Sequence, residues 1–126
     1  MNYLIICVKN NNQNKTVGEI LLFSIEDIIL SLRSDQVRIT DHAYEESISD
    51  NLDFNGIFYS VFTGEIIEEY IDDKPYPSFL ICGKDFSGKV VHSVWAYDNI
   101  NKLSVLITVY RPDPDKWSQN CRRRIK

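Results

Sequence analysis

The sequence predicts an α+β domain, with N-terminal helices packed on one face of a four-stranded, mainly antiparallel sheet. Three observations carry this. Apolar residues recur at helical spacing up to Gly64, and after it the period switches toward two with β-branched and aromatic residues. The last three apolar segments are separated only by short polar turns, as in an antiparallel meander.

Ser24-Ile-Glu-Asp opens the first helix with a capping residue and an acid three positions on. Ile25, Ile28, Ile29 and Leu32 continue it to a stop near Ser34. Thr40 or Asp41 caps a second helix to about Ser49, with Glu45 and Glu46 in its N-terminal half. Asp53 caps a third, whose stripe is Ile57, Phe58, Val61 and Phe62 and whose expected C-terminal stop is Gly64. Strands are predicted over 65–71, 78–83, 90–97 and 103–110. The connection from Asp72 to Pro77 holds two prolines and reads as a constrained loop. No internal repeat is visible.

At 126 residues the chain fits one domain able to bury a core without disulfides. The Asn-rich break at residues 9–16 sets off an N-terminal extension or edge strand, residues 1–16, from a domain spanning 17–126. Cys7, Cys82 and Cys121 are odd in number and widely spaced, fitting neither a disulfide framework nor a zinc site, so reduced thiols in a cytoplasm are expected. Tyr3 to Val8 is too short to span a bilayer and lacks the basic start and cleavage site of a signal peptide, so no membrane role is expected.

The charge is uneven. The whole chain carries −4, but residues 116–126 hold Lys116, Arg122, Arg123, Arg124 and Lys126 with no acid, so the remaining residues carry −9. An acidic body with a basic tail suits a polyanion at the tail and a basic protein at the body, against the plainer account of a solvated C-terminus.

The chemistry-bearing candidates are few. His42 lies on the first turn of the second helix. His92 shares a strand face with Val90, Val94 and Ala96, opposite Val91, Ser93, Trp95 and Tyr97. In the last strand, Leu103, Val105, Ile107 and Val109 alternate with Ser104, Leu106, Thr108 and Tyr110, pointing Tyr110 away from the most apolar face. Alternation alone leaves open whether His92 and Tyr110 face the same side. Two histidines and a basic tail suggest metal-free RNA cleavage, in which one group removes the 2′-hydroxyl proton, another protonates the leaving 5′-oxygen, and cations stabilise the transition state. Lys89, Arg111, Lys116 and Arg122 to Arg124 are the candidate RNA-binding cations. The competing account makes His92 a core-facing strand histidine bonded to a carbonyl, and His42 a packing residue at a helix start. Trp95, Trp117 and the tyrosines could stack bases, though core packing accounts for most of them. Close ligand pairs are lacking, so no metal and no cofactor is assigned.

From about residue 18 onward the chain resembles the bacterial family known as domain of unknown function 4258. The resemblance rests on Val37-Arg-Ile-Thr-Asp-His-Ala-Tyr-Glu-Glu46, on Gly64-Glu-Ile-Ile-Glu-Glu-Tyr-Ile-Asp-Asp-Lys-Pro-Tyr-Pro-Ser78, on Gly83 and Gly88-Lys-Val-Val-His92, and on Ile107-Thr-Val-Tyr-Arg-Pro-Asp-Pro-Asp-Lys-Trp117. It implies a fold similar to RelE-like and barnase-like ribonucleases, and a toxin paired with a small zinc-finger or helix-turn-helix antitoxin. His42, His92 and Tyr110 fall on the two histidines and the strand-closing tyrosine of the family pattern. Many members carry arginine in a His-Ala-x-x-Arg pattern, whereas position 46 here is Glu.

Two functions follow as expectations. One is a toxin-type, metal-independent endoribonuclease acting on RNA, free or presented by a ribosome, with His42 and His92 as acid and base and Tyr110 positioning substrate. The other is a non-catalytic module of the same fold that binds a protein or nucleic acid, as an inactive relative would.

Overall fold

In the computed structural model, which describes residues 24–125, three short helices lie where their caps place them. Helix α1, Ile25–Arg33, starts after Ser24, whose backbone N–H donates to Asp27 Oδ2 at 3.0 Å. Helix α2, Asp41–Ser49, is capped by Thr40, whose hydroxyl oxygen accepts from Ala43 N at 3.1 Å. Helix α3, Phe54–Phe62, is capped by Asp53, which accepts from Gly56 N at 2.6 Å. Each cap satisfies an N–H that the first turn leaves without an intrahelical partner. The extension or edge strand predicted for residues 1–16, and the domain start near Val17, lie outside the described residues.

The sheet has five strands rather than the predicted four, in the order β1-β5-β4-β3-β2. The additional one is β1, Val37–Ile39, which pairs in parallel with β5, Leu103–Tyr110, in the register Val37 to Ser104. Three residues carry no readable period, and the pairing that makes them a strand comes from far along the chain. Strands β2 (Glu65–Tyr70), β3 (Ser78–Lys84), β4 (Val90–Asp98) and β5 are antiparallel neighbours, and the last three form the meander that the turns predicted. The result is three helices on a mixed, mostly antiparallel sheet.

The helices cover one face. Ile28, Leu32, Ile57 and Val61 pack there on Phe79, Ile81, Val91, Trp95, Leu106 and Val109. Strand β4 divides its faces as the alternation predicts. Strand β5 does not. A bulge shifts register so that Val94 opposes Thr108 while Trp95 opposes Leu106, leaving Ile107 as the extra residue. Leu106 therefore joins Val109 in the helix-side core, although strict alternation had grouped it with Tyr110.

Gly64 is needed for a different reason than the predicted stop. Thr63 forms the C-cap of α3, and a Cβ on Gly64 would lie 2.4 Å from Ser60 O and 2.6 Å from Cys82 O. One on Gly83 would lie 1.8 Å from Ser60 O. These two glycines let the end of α3 rest directly on β3.

The basic tail is folded. Trp117–Ser118 (β6) and Arg123–Arg124 (β7) form a small antiparallel hairpin, with Trp117 opposite Arg124. It lies over the sheet face that the helices leave open. No helix among the described residues is long and apolar enough to cross a membrane.

Candidate active site

On the face beneath the hairpin, period-two geometry gathers Glu68 and Tyr70 of β2, Cys82 of β3, His92 of β4 and Tyr110 of β5. His92 and Tyr110 are direct cross-strand partners, which settles the register left open above. His92 is fully buried. Its Nδ1 lies 3.1 Å from the Tyr110 hydroxyl and its Nε2 lies 2.7 Å from the carbonyl oxygen of Cys121. The edge of its ring meets Trp117 at 4.5 Å between centroids.

The tautomer follows from the partners. A carbonyl only accepts, so Nε2 carries the proton and donates to Cys121, and Nδ1 is free to accept the Tyr110 O–H. Burial pushes the His92 pKa below its usual value, against the Cys121 hydrogen bond and the Glu68 charge, which raise it. Burial raises the Tyr110 phenol, partly offset by Arg124. At neutral pH the imidazole is uncharged and the phenol protonated.

Glu68 ties the hairpin to the sheet. Its oxygens accept from Arg124 Nε and Nη2, both at 3.0 Å, and the Tyr70 hydroxyl also donates to it. Burial and the Glu68 contact push Tyr70 up to about 12. The Arg124 guanidinium sits over the Trp117 ring at 4.6 Å, a cation–π contact that continues the stack down to His92. Arg122 Nε donates to Glu65 at 2.6 Å. Between these anchors, Gln119, Asn120 and Cys121 have φ of 53°, 59° and 66°, three consecutive non-glycine residues in the left-handed region.

His42 stands elsewhere. It is exposed on α2, and its Nε2 lies 3.1 Å from Glu46 Oε1 one turn on. Among the described residues no hydrogen bond or ring contact joins His42 to His92. Glu46 is not the surface helix acid that its position suggests: it also accepts from the Thr108 hydroxyl and from Val109 N at 3.2 Å. One turn further, Asp50 accepts from Arg111 N at 2.9 Å, and Thr40 N donates to Leu106 O at 3.1 Å. Helix α2 thus seals the edge of β5 beyond the short β1, its carboxylates receiving N–H groups that another strand would have taken.

The six candidate cations divide evenly. Arg111 pairs with Asp85 at 2.7 Å, Arg122 with Glu65 and Arg124 with Glu68, while Lys89, Lys116 and Arg123 are exposed and in no ion pair among the described residues. Burial raises Asp85, but hydrogen bonds from Ser87, Arg111 and the Lys89 backbone outweigh it and hold the carboxyl well below the usual range. Sequence reasoning missed Glu68, Tyr70 and the Cys121 carbonyl. The carboxylate and phenol at 68 and 70, two apart on a strand, were the available signal. The carbonyl carries no side-chain signature at all.

Burial raises the Cys82 thiol, so it is no ready nucleophile. Among the described residues no three His, Cys, Asp or Glu side chains gather as metal ligands. No curated protein and no solved structure matches the chain. Residues 39–111 match the model of the domain of unknown function DUF4258, and since this stretch runs from the end of β1 through Tyr110 and covers more than half of the sequence, the chain belongs to that family.

Proposed function

We propose that the protein is a metal-independent endoribonuclease of the toxin type, similar to RelE-like and barnase-like ribonucleases, with His92 as base, Tyr110 as acid and Arg124 as phosphate-stabilising cation. The observation that carries this reading is the 3.1 Å contact between His92 Nδ1 and the Tyr110 hydroxyl, on one sheet face with the Glu68–Arg124 pair. A neutral imidazole beside a protonated phenol is the state that acid-base cleavage requires at neutral pH. With the Cys121 carbonyl displaced, the imidazole carries its proton on Nδ1, which donates to the Tyr110 oxygen, and Nε2 takes the 2′-hydroxyl proton as that oxygen attacks phosphorus. The P–O5′ bond breaks and O5′ takes the phenolic proton, leaving a 2′,3′-cyclic phosphate and a 5′-hydroxyl. Arg124 faces the charge that builds on the phosphoryl oxygens. RNA reaches His92 only when the turn at 119–121 lifts, because that turn occupies Nε2. Within this reading the chain works in a cytoplasm, on free or ribosome-presented RNA, and is silenced by an antitoxin.

One observation favours a second reading, a non-catalytic binding module. His92 is fully buried with both nitrogens satisfied, as a structural histidine would be. End-mapped sequencing of cellular RNA after brief induction separates the two. The nuclease gives discrete new RNA ends in the wild type that disappear in Tyr110→Phe, which keeps the ring and removes only the hydroxyl, and in His92→Gln. Identical RNA from all three proteins establishes the module instead.

A further inference from the structure

Beside the His92 site lies an open pocket of about 470 Å³ that the acid-base chemistry does not use. Its floor is the close packing of α3 on β3 at Gly64 and Gly83, and its walls include Tyr59, Lys84, Phe86, Asn120 and Arg122. Tyr59 and Phe86 stack with ring centroids 4.3 Å apart and planes 22° apart. Phe86 is nevertheless 69% exposed, an aromatic held flat by one neighbour with its surface offered to solvent.

The charges in the wall are mostly committed. Glu65 is paired with Arg122 and Asp85 with Arg111, which leaves Lys84 with no ion pair among the described residues. A stacking surface beside an uncompensated ammonium suits a nucleobase and its phosphate, and stacking is tolerant of base identity. Two residues of the pocket also neighbour the candidate active site. Cys82, in its wall, is the cross-strand partner of His92, and Asn120 precedes the residue whose carbonyl occupies His92 Nε2. The turn at 119–121 therefore meets both, through Asn120 and through the Cys121 carbonyl.

We propose that this pocket is a nucleotide subsite for single-stranded RNA, taking one base against Phe86 and the adjoining phosphate on Lys84, next to the position where His92 and Tyr110 act. The proposal rests on the nuclease reading for its place beside the scissile bond, and on the pocket alone for binding.

The test uses the full chain and a fluorescein-labelled single-stranded 2′-O-methyl RNA of about ten nucleotides. That probe lacks the attacking hydroxyl and so cannot be cleaved. Phe86→Ala and Lys84→Gln, both at exposed side chains, should each weaken anisotropy-measured binding by roughly ten-fold. Titration of the ¹⁵N-labelled protein with adenosine 5′-monophosphate should move the amide signals of Gly83, Lys84, Phe86 and Gly88. Unchanged affinity in both variants, or amide shifts confined to Lys89, Lys116 and Arg123, overturns the subsite. Cleavage of unmodified RNA by the wild type, lost in Tyr110→Phe, would then leave the nuclease standing without it. Binding through Phe86 and Lys84 with no cleavage supports the subsite and assigns it to a binding module.

Discussion

The two histidines of this chain occupy opposite physical situations. His42 sits on the first turn of a helix, its side chain 66% exposed, with one carboxylate for company. His92 sits mid-strand, fully buried, with a carbonyl on one nitrogen and a phenol on the other. Equal as candidates in the sequence, they differ in what holds them. One is placed by a helix that seals a sheet edge, and the other by three strands and a folded tail. Residue type and family position therefore said less about chemistry than the neighbours did.

Stability is where the two should diverge most. His92→Ala removes a buried ring and leaves the Cys121 carbonyl and the Tyr110 hydroxyl without partners, which should destabilise the protein by about 3 kcal/mol in urea unfolding. A loss under about 1 kcal/mol would mean that the hairpin and the strands repack without the ring. The pH dependence carries the same signature. Because the His92 pKa is lowered in the folded protein, the unfolded chain binds the extra proton first as pH falls below the ordinary value of 6.5. Its stabilising contribution is complete above that pH and is lost as pH falls through the lower folded pKa. Thermal unfolding followed from pH 7 to pH 5 should show this loss in the wild type and much less of it in His92→Gln.

The next effect concerns the helix that carries His42. In Glu46→Arg a donor replaces the acceptor that meets the Thr108 hydroxyl and the Val109 N–H, so the β5 edge loses both hydrogen bonds and about 2 kcal/mol of stability. This substitution writes the arginine of the His-Ala-x-x-Arg pattern into the chain. A neutral or stabilising outcome would show that α2 can reseat and that Glu46 is replaceable at the edge.

These contrasts track what was readable. Helix positions were legible because Ser24, Thr40 and Asp53 announce their own starts, and the faces of β4 because alternation over nine residues is unambiguous. The phase of β5 was not, since the bulge at Ile107 reverses alternation midway and only the partner strand reveals it. Strand β1 is made by its neighbour, not by its composition. The tail's five cations read as a polyanion-binding or a solvated segment, and neither reading foresaw that Glu65 and Glu68, more than fifty positions earlier, hold two of them in place. Of the candidate site, His92 and Tyr110 were named in advance. Their contact, and the cover over them, depended on register and on a turn whose working atom is a backbone oxygen.

Arg124 tests that cover more gently. Its side chain is 58% exposed, so the pair with Glu68 is worth about 1 kcal/mol or less to global stability. Its local effect should be larger, because the same guanidinium holds Trp117 over His92. Arg124→Ala should speed hydrogen exchange at Arg122 N and Ile125 N, which donate to Ser118 O and Lys116 O, while leaving exchange in β3 and β4 unchanged. Equal acceleration throughout the sheet would mean that the hairpin is part of the core and not a separable cover.

The smallest stability change is expected at His42 itself. Its one ion-pair partner, Glu46, keeps the Thr108 and Val109 hydrogen bonds when the imidazole is gone, and an exposed pair of this kind contributes little. His42→Ala should shift urea unfolding by about 0.5 kcal/mol or less. That near-neutrality makes the variant informative about chemistry, because a change in RNA cleavage cannot then be put down to unfolding. Cleavage that survives His42→Ala and vanishes in Tyr110→Phe places the reaction wholly on the face beneath the hairpin. Cleavage lost in both requires the exposed histidine to meet the buried one during the reaction, and the turn at 119–121 would have to open toward the α2 edge to let it.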